Sequence, residues 1–269
     1  MASTYILIDT TLIGNPLNKP WLKKRRKPGW VVALYGREAI SVSPILIDVE
    51  RAILCNALDA VMRLVNAQHP QLGISFIETA LTLIELQNHL REFVHIKAPD
   101  GIELTLRFAD CAVLPVLSAV LTAEQWSAIV APFKGWRIHG RDGLLASLPV
   151  FKTEVVLRPP LVFSDAQIAA LRSAMETDQL LANLRKMRPG NHAEYSTPKA
   201  FEYAKRARQI WVSAGCEENT ELLLFVRDVF DTDGRLLHHA ALDKVLAQTD
   251  PVLRRKDLHR MATTYLREC

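Results

Sequence analysis

The sequence predicts an α+β protein, with a mixed α/β N-terminal domain over residues 1–157 and an all-helical C-terminal domain over residues 161–269. Three observations lead to this division. Short apolar runs rich in β-branched and aromatic residues alternate with helix-period segments through the first part. The consecutive prolines of Arg158-Pro159-Pro160 then interrupt regular pairing and mark the boundary. Beyond them strand signals fade, and capped helical segments follow one another to the end.

The first strand is "TYILID", followed by "WVVALY", "PILIDV" and "GISFIE". The opening "MASTYILIDTTLIG" lacks a basic leader and has its apolar run broken by Asp9, so it reads as a strand and not as a secretory signal. Asp48 is placed to cap a helix through "ERAILCNALDAVMRLVNA", in which Ile53, Leu54, Leu58, Val61 and Leu64 or Val65 would share one face. Thr79 opens a second expected helix, "ALTLIELQNHLREF". The run "VHIKAP-DG-IELTLRFA" sets a turn dipeptide between two alternating arms, which is the form of a β-hairpin. On its second arm Ile102, Leu104, Leu106 and Phe108 would face one way, and Glu103, Thr105 and Arg107 the other. Helix then resumes, with Asp110 as N-cap and Pro115 in the first turn. Thr122 with Gln125, and Ser164 with Gln167, have the spacing of capping boxes. The second of these opens a helix to about Met187. After the loop "RPGNHAEYSTP", capped by Ser196 or Thr197 with Pro198 in the first turn, comes "KAFEYAKRARQIWVSA", which Gly215 stops. Helices in "ELLLFVRDVF", "LHHAALDKVLAQ" and "RRKDLHRMATTYLRE" complete the chain.

Composition is that of a globular protein, 49% hydrophobic and 23% charged over 269 residues. No window approaches the roughly 18 apolar residues that would cross a bilayer, so no membrane partner is expected. Cys55, Cys111, Cys216 and Cys269 are scattered and form no C-x-x-C pair, which fits a reducing cytoplasm and gives no disulfide or zinc framework. The formal net charge of +4 is concentrated in one run, Lys23 to Lys27, between Trp21 and Trp30. That cluster reads either as a solvated loop punctuated by Pro20, Pro28 and Gly29, or as a nucleic-acid contact made by residues 21–30. The loop is favoured, since nothing else in the chain builds a basic face.

Enzyme signatures are absent. There is no nucleophile elbow and no H-E-x-x-H helix. "GWRIHGRD" has the spacing of a phosphate loop but carries Arg141 and Asp142 where Lys and a hydroxyl are required. "VFDTDGRLLHHA" imitates a calcium loop around Gly234, yet Val229 and Ala240 occupy its first and last ligand places. His238 and His239 point about 100° apart and cannot place both rings on one helix face, and although His239 and Asp243 could face each other at i and i+4, two ligands do not make a site. Cys111 reads as a buried, inert thiol. A hydrolase centred on His89, Arg107 and Asp110 would need a pocket joining them. As a structural pair, Arg107 and Asp110 need only reach one another across a strand-to-helix corner. No catalytic residue, metal or cofactor is expected.

The stretch "LIELQNHLREFVHIKAPDGIELTLRFADCAVLPVLSAVLTAEQWSAIVAPFKGW" resembles the core of the bacterial type VI secretion effector adaptor/chaperone family, the domain of unknown function 4123. The resemblance rests on His89-Leu90-Arg91, Asp100-Gly101, Arg107-Phe108-Ala109-Asp110, Leu121-Thr122 and Gly135-Trp136, in that order. "YILID", ending in Asp9, and "PILIDV" are similar to the family's first strands. The chain departs from the pattern at Asp110-Cys111-Ala112, where the family has Asp-Pro-Arg, and at Ala109, where it has an aromatic residue. The resemblance implies a cytoplasmic, non-enzymatic adaptor that binds a toxin effector and loads it onto the spike protein of the secretion machine. The helical part would then present the partner-binding surface. Phe201, Tyr203, Trp211, Leu223 and Phe225 are the candidate contacts, although their helical spacing equally suits a core.

Overall fold

The computed structural model describes residues 2–12, 29–66, 71–187 and 198–266. The α+β class holds: a sheet-containing N-terminal region is followed by helices. The chain divides into two compact units, Met1–Ala174 and Met175–Cys269.

The first unit is built on a six-stranded, wholly antiparallel sheet. Its order is β2 (Val31–Ala33), β3 (Ile45–Asp48), β1 (Ser3–Ile8), β4 (Ile74–Thr79), β7 (Phe133–His139) and β8 (Leu145–Ser147). β1 is central because its residues from Tyr5 to Ile8 are apolar on both faces and all are buried. It pairs Ile6 with Ile47 on one side and with Phe76 on the other. Helices α1 (Val49–Leu54) and α2 (Leu58–Val65) contribute Ala52, Val61, Leu64 and Val65 to a core shared with Ile6, Ile8, Trp30, Ile45 and Ile47. Helix α3 (Leu83–Glu92) lies against β2 and β3, held by Gln87 Nε2 donating to the Ala33 carbonyl and Arg91 Nε to that of Leu34. A second sheet has the order β6 (Glu103–Thr105), β5 (His95–Lys97) and β9 (Leu161–Val162). β5 and β6 are the expected hairpin, and Gly101 adopts φ +82 at its turn, where a side chain would be strained.

Four expectations require correction. The long helix after Asp48 is two helices. Asp48 caps α1 as expected, through Arg51 N, but Asn56 at φ 53 ends it. Ala57 N bonds Ala52 O and Asn56 N bonds Ile53 O, a Schellman closure. The chain is thereby rephased, and Ile53, Leu54 and Leu58 are exposed instead of sharing the core face. Thr79 does not open α3 but ends β4 and donates to the Pro132 carbonyl; the cap is Thr82, in a capping box with Glu85. On the hairpin arm only Leu106 and Phe108 are buried, and Ile102 and Leu104 face outward. The boundary expected at Arg158–Pro160 falls instead at Ala174/Met175, inside helix α6 (Asp165–Met187). Residues beyond the prolines still belong to the first unit: β9 pairs in parallel with β5, and Phe163 is fully buried. The expected capping boxes at Thr122 and Ser164 both form, and Gln167 Nε2 donates to Gln125 Oε1 at 2.6 Å. That bond joins the starts of α5 (Ala123–Val130) and α6.

The second unit is helical: the rest of α6, α7 (Pro198–Ser213), α8 (Asn219–Asp231), α9 (Leu242–Leu246) and α10 (Pro251–Leu266). The cap expected at Ser196 or Thr197 lies outside the described residues, and Gly215 stops α7 at φ +73. Leu181, Leu184, Ala204, Ala207, Trp211, Phe225, Val226 and Val229 form its core with residues of α9 and α10. Between α8 and α9, Gly234 sits at φ +80 beneath the Tyr203 ring. Gly234→Ala would force a left-handed backbone on an L residue, costing at least about 1–2 kcal/mol, and would press a methyl into that ring. Urea denaturation should show that loss, and Tyr203→Ser in the same chain should restore part of it. An unchanged midpoint for Gly234→Ala would contradict this packing.

Candidate functional site

The Arg107–Asp110 corner is real, and it contains a third charged residue that sequence spacing alone did not join to it. Asp9 follows the central strand β1 and is buried, with its N–H held by the Gly73 carbonyl. Its carboxylate accepts from Thr11 N at 2.9 Å and Thr11 Oγ1 at 2.5 Å. Arg107 Nη2 lies 3.0 Å from Asp9 Oδ2, 3.4 Å from Asp110 Oδ2 and 3.2 Å from Thr11 Oγ1. One half-exposed guanidinium therefore serves two buried carboxylates. Burial alone would lower the Arg107 pKa, but the Asp9 hydrogen bond and the charges of Asp9 and Asp110 outweigh it and raise the pKa. Tyr35 stands nearby, its phenol pushed up by burial and by the Asp9 charge.

Asp110 acts one turn earlier than expected. Helix α4 (Leu114–Val120) has Val113 as its N-cap, with no side-chain cap bond. Asp110 Oδ1 instead accepts from Ala112 N, and its carbonyl accepts from Val113 N and Leu114 N, so it closes the turn that leads into the helix. Leu106 N donates to the Val94 carbonyl and keeps the arm bearing Arg107 in line with β5. The arrangement holds a corner together.

The other titratable residues of this region lie in different settings. His89 places Nε2 2.7 Å from the Ile129 carbonyl, to which it donates, between the rings of Phe93 and Phe133. Burial lowers its pKa, opposed in part by that hydrogen bond. His95 is exposed and pairs with Glu103 across the hairpin. Cys111 is buried, donates to the Ile74 carbonyl, and has its thiol pushed up to about 12 by burial, which leaves it protonated and unreactive. Of the basic run, Lys23 to Lys27 and Trp21 lie outside the described residues. Trp30 is buried in the first unit's core and is not available to stack on a base.

The five candidate contacts of the second unit separate. Trp211 and Phe225 are 1% exposed and stack on each other, with ring centroids 5.9 Å apart, so they are core residues. Phe201, Tyr203 and Leu223 are half-buried against that core. Tyr203 also donates to the Asp233 carbonyl, beside the Lys199–Asp233 ion pair. Trp211 also borders an open cleft of about 510 Å³. One wall is α6, with Glu176, Gln179, Leu180 and Asn183. The other is the end of α7 with Arg208 and Val212, then Gly215, Cys216 and Glu217, and the start of α8 with Asn219 and Leu222. Arg208 and Glu176 form an ion pair between the walls. The Arg254 guanidinium lies 5.2 Å from the Trp211 ring centroid and pairs with Glu221. The buried Trp211 Nε1 finds no acceptor among the described residues, a situation that costs about 1–3 kcal/mol. No group of three or more His, Cys, Asp or Glu residues able to hold a metal occurs among the described residues.

With this geometry in place, one comparison bears on the first unit. Residues 4–128 match the family model described as Domain of unknown function (DUF4123). The match takes in Asp9, Arg107 and Asp110 and stops within α5, before β7 and before every residue that lines the cleft. No curated protein and no solved structure matches the chain. No helix among the described residues is long and apolar enough to cross a membrane.

Two outcomes test this account. Arg107→Gln leaves two buried carboxylates without their cation; because the guanidinium is half-exposed, the expected loss is about 1–3 kcal/mol in urea denaturation. A variant as stable as wild type would show that the corner does not depend on the pair. For His89 the folded-state pKa lies below the ordinary 6.5, so the unfolded chain takes up the proton more readily. Its contribution is complete above 6.5 and is lost as pH falls from there toward the folded value. His89→Gln should therefore show a shallower decline in stability than wild type between pH 7.5 and 5.5; equal slopes would contradict the assignment.

Proposed function

We propose that this protein is a cytoplasmic, non-enzymatic adaptor that binds a type VI secretion toxin effector and helps place it on the spike protein of the secretion machine. The observation that carries the reading is the match over residues 4–128, in a unit whose Asp9–Arg107–Asp110 corner is built from the residues that carry the resemblance. The charged groups of that corner act on one another and on the backbone, as in a scaffold. His89 donates to a main-chain carbonyl, and the Cys111 thiol is held protonated, so neither is poised as a base or a nucleophile. The helical second unit lies outside the match and carries an open cleft, which suits a surface particular to one partner. The reading based on nucleic-acid contact loses one of its two tryptophans, since Trp30 is buried.

The test is co-expression of the tagged chain with candidate toxin effectors and spike proteins of the type VI machine from the same genome. A ternary complex that survives size-exclusion chromatography is the expected result. Recovery of the chain free of both proteins would overturn the proposal.

A further inference from the structure

The large sheet has two edges, and the chain treats them differently. At the β2 edge, α3 lies alongside, and its Gln87 Nε2 takes the Ala33 carbonyl, which points away from β3. At the β8 edge no element among the described residues pairs with the outer side, and Leu145, Ala146 and Ser147 are all exposed. The ladder to β7 fixes which main-chain groups are open there. Gly140 N donates to Leu144 O, and Leu148 N donates to Trp136 O, so the even-numbered residues bond inward. Leu145 and Ser147 therefore direct their N–H and C=O groups outward, where none of the four has a partner among the described residues. The open set ends on both sides. Gly143, the next outward position before it, gives its N–H to the Gly140 carbonyl. Pro149, the next after it, has no N–H, and its carbonyl accepts from Trp126 Nε1.

That open set is its own complement. Turned about a two-fold axis through Ala146, Leu145 of one copy faces Ser147 of a second copy, and each such pair exchanges two hydrogen bonds. All the open groups are then used and none is left over. A foreign strand would have to stop at the same two residues to do this; a second copy does so by symmetry. The side chains agree. Ala146 meets its counterpart at the close, non-hydrogen-bonded position, where a small residue fits. Leu145, 53% exposed, comes diagonal to its counterpart, and Leu144, 68% exposed, comes opposite Leu148 of the second copy. From Leu144 to Phe151 no residue is charged, so the strand lacks the charges by which a sheet edge is kept from pairing. β6, an edge of the small sheet, carries one in the exposed Glu103.

We propose that β8 pairs with β8 of a second copy of this chain, antiparallel about Ala146, and joins two six-stranded sheets into one. The contact is small beside the roughly 800 Å² per partner of a stable interface, so the dimer is reversible and forms as concentration rises. This goes beyond the adaptor reading and does not depend on it.

Sedimentation equilibrium of the chain, from micromolar to near-millimolar concentration, is the test. The mass should rise from the monomer's 30.2 kDa toward twice that value. Ser147→Pro removes an outward N–H without touching a bond to β7, and so takes two hydrogen bonds from the dimer; association should weaken by at least about tenfold. Leu145→Lys sets like charges diagonally across the axis and should weaken it comparably. Leu54→Lys, at an 82% exposed position on α1, should associate as wild type does. Far-UV circular dichroism accompanies each variant, and Leu145→Lys decides the matter if Ser147→Pro does not fold. A wild type that stays monomeric at every concentration would overturn the proposal. So would association unchanged in Leu145→Lys, or association abolished by Leu54→Lys.

Discussion

The first unit depends on one guanidinium shared by two buried carboxylates. Asp9 ends the central strand and Asp110 begins the turn into α4, and they lie far apart in the chain. Two carboxylates buried close together would repel each other unless a cation or several N–H groups faced them. Here both kinds of partner are present. Arg107 bridges the pair, Thr11 covers Asp9, and Ala112 N covers Asp110. The corner thus ties the middle of the large sheet to the hairpin of the small one, and both sheets start from a fixed relation. A hydrophobic contact could supply equal stability, but the ion pair also requires one register of the Arg107 arm, since a one-residue slip would turn that side chain to the other face.

A second constraint carries this order to the end of the unit. Thr122 and Ser164 each start a helix with a reciprocal capping box, and the two boxes are joined because Gln125 Oε1 also accepts from Gln167 Nε2. Gln125 Nε2 in turn donates to the Val162 carbonyl on β9. One glutamine therefore satisfies an N-cap, a neighbouring helix and a strand. This explains why the segment beyond the paired prolines remains with the first unit: its β9 strand and the start of α6 are bonded to α5 before the helix proceeds.

What was legible in the sequence was local. Capping boxes at Thr122 and Ser164, the Asp100-Gly101 turn, the Asp48 cap and the Gly215 stop each need only a few neighbouring residues, and each is found. What was not legible depended on distant partners or on a change of period. Phe133 and Trp136 are three apart, a helical spacing, yet both are buried on strand β7; the register shift opposite Glu78 and Thr79 leaves Lys134 unpaired and shifts the alternation. Asn56 breaks a helix whose apolar pattern reads as continuous, because its left-handed backbone is set by bonds back to Ala52 and Ile53. Asp9 could be recognised as the end of a strand, but its partner is Arg107, a contact no local pattern contains. Trp211 shows the converse case. Periodicity allowed it to be core or contact, and its ring is buried in the core of the second unit while the residue also borders a cleft.

The two units also differ in where their polar groups are directed. At the corner and at the joined caps, the charged and amide side chains are bonded within the first unit, and such a surface has little left to offer a partner. Beside the cleft, the Trp211 N–H is buried without an acceptor among the described residues, so not every polar group of the second unit is satisfied as those of the corner are. Rigidity and recognition make opposite demands on a polar side chain: the first requires that it be satisfied in the folded chain, the second that it not be. The match over residues 4–128 takes in the bonded corner, the joined caps extend past it to Gln167, and the cleft lies wholly beyond it.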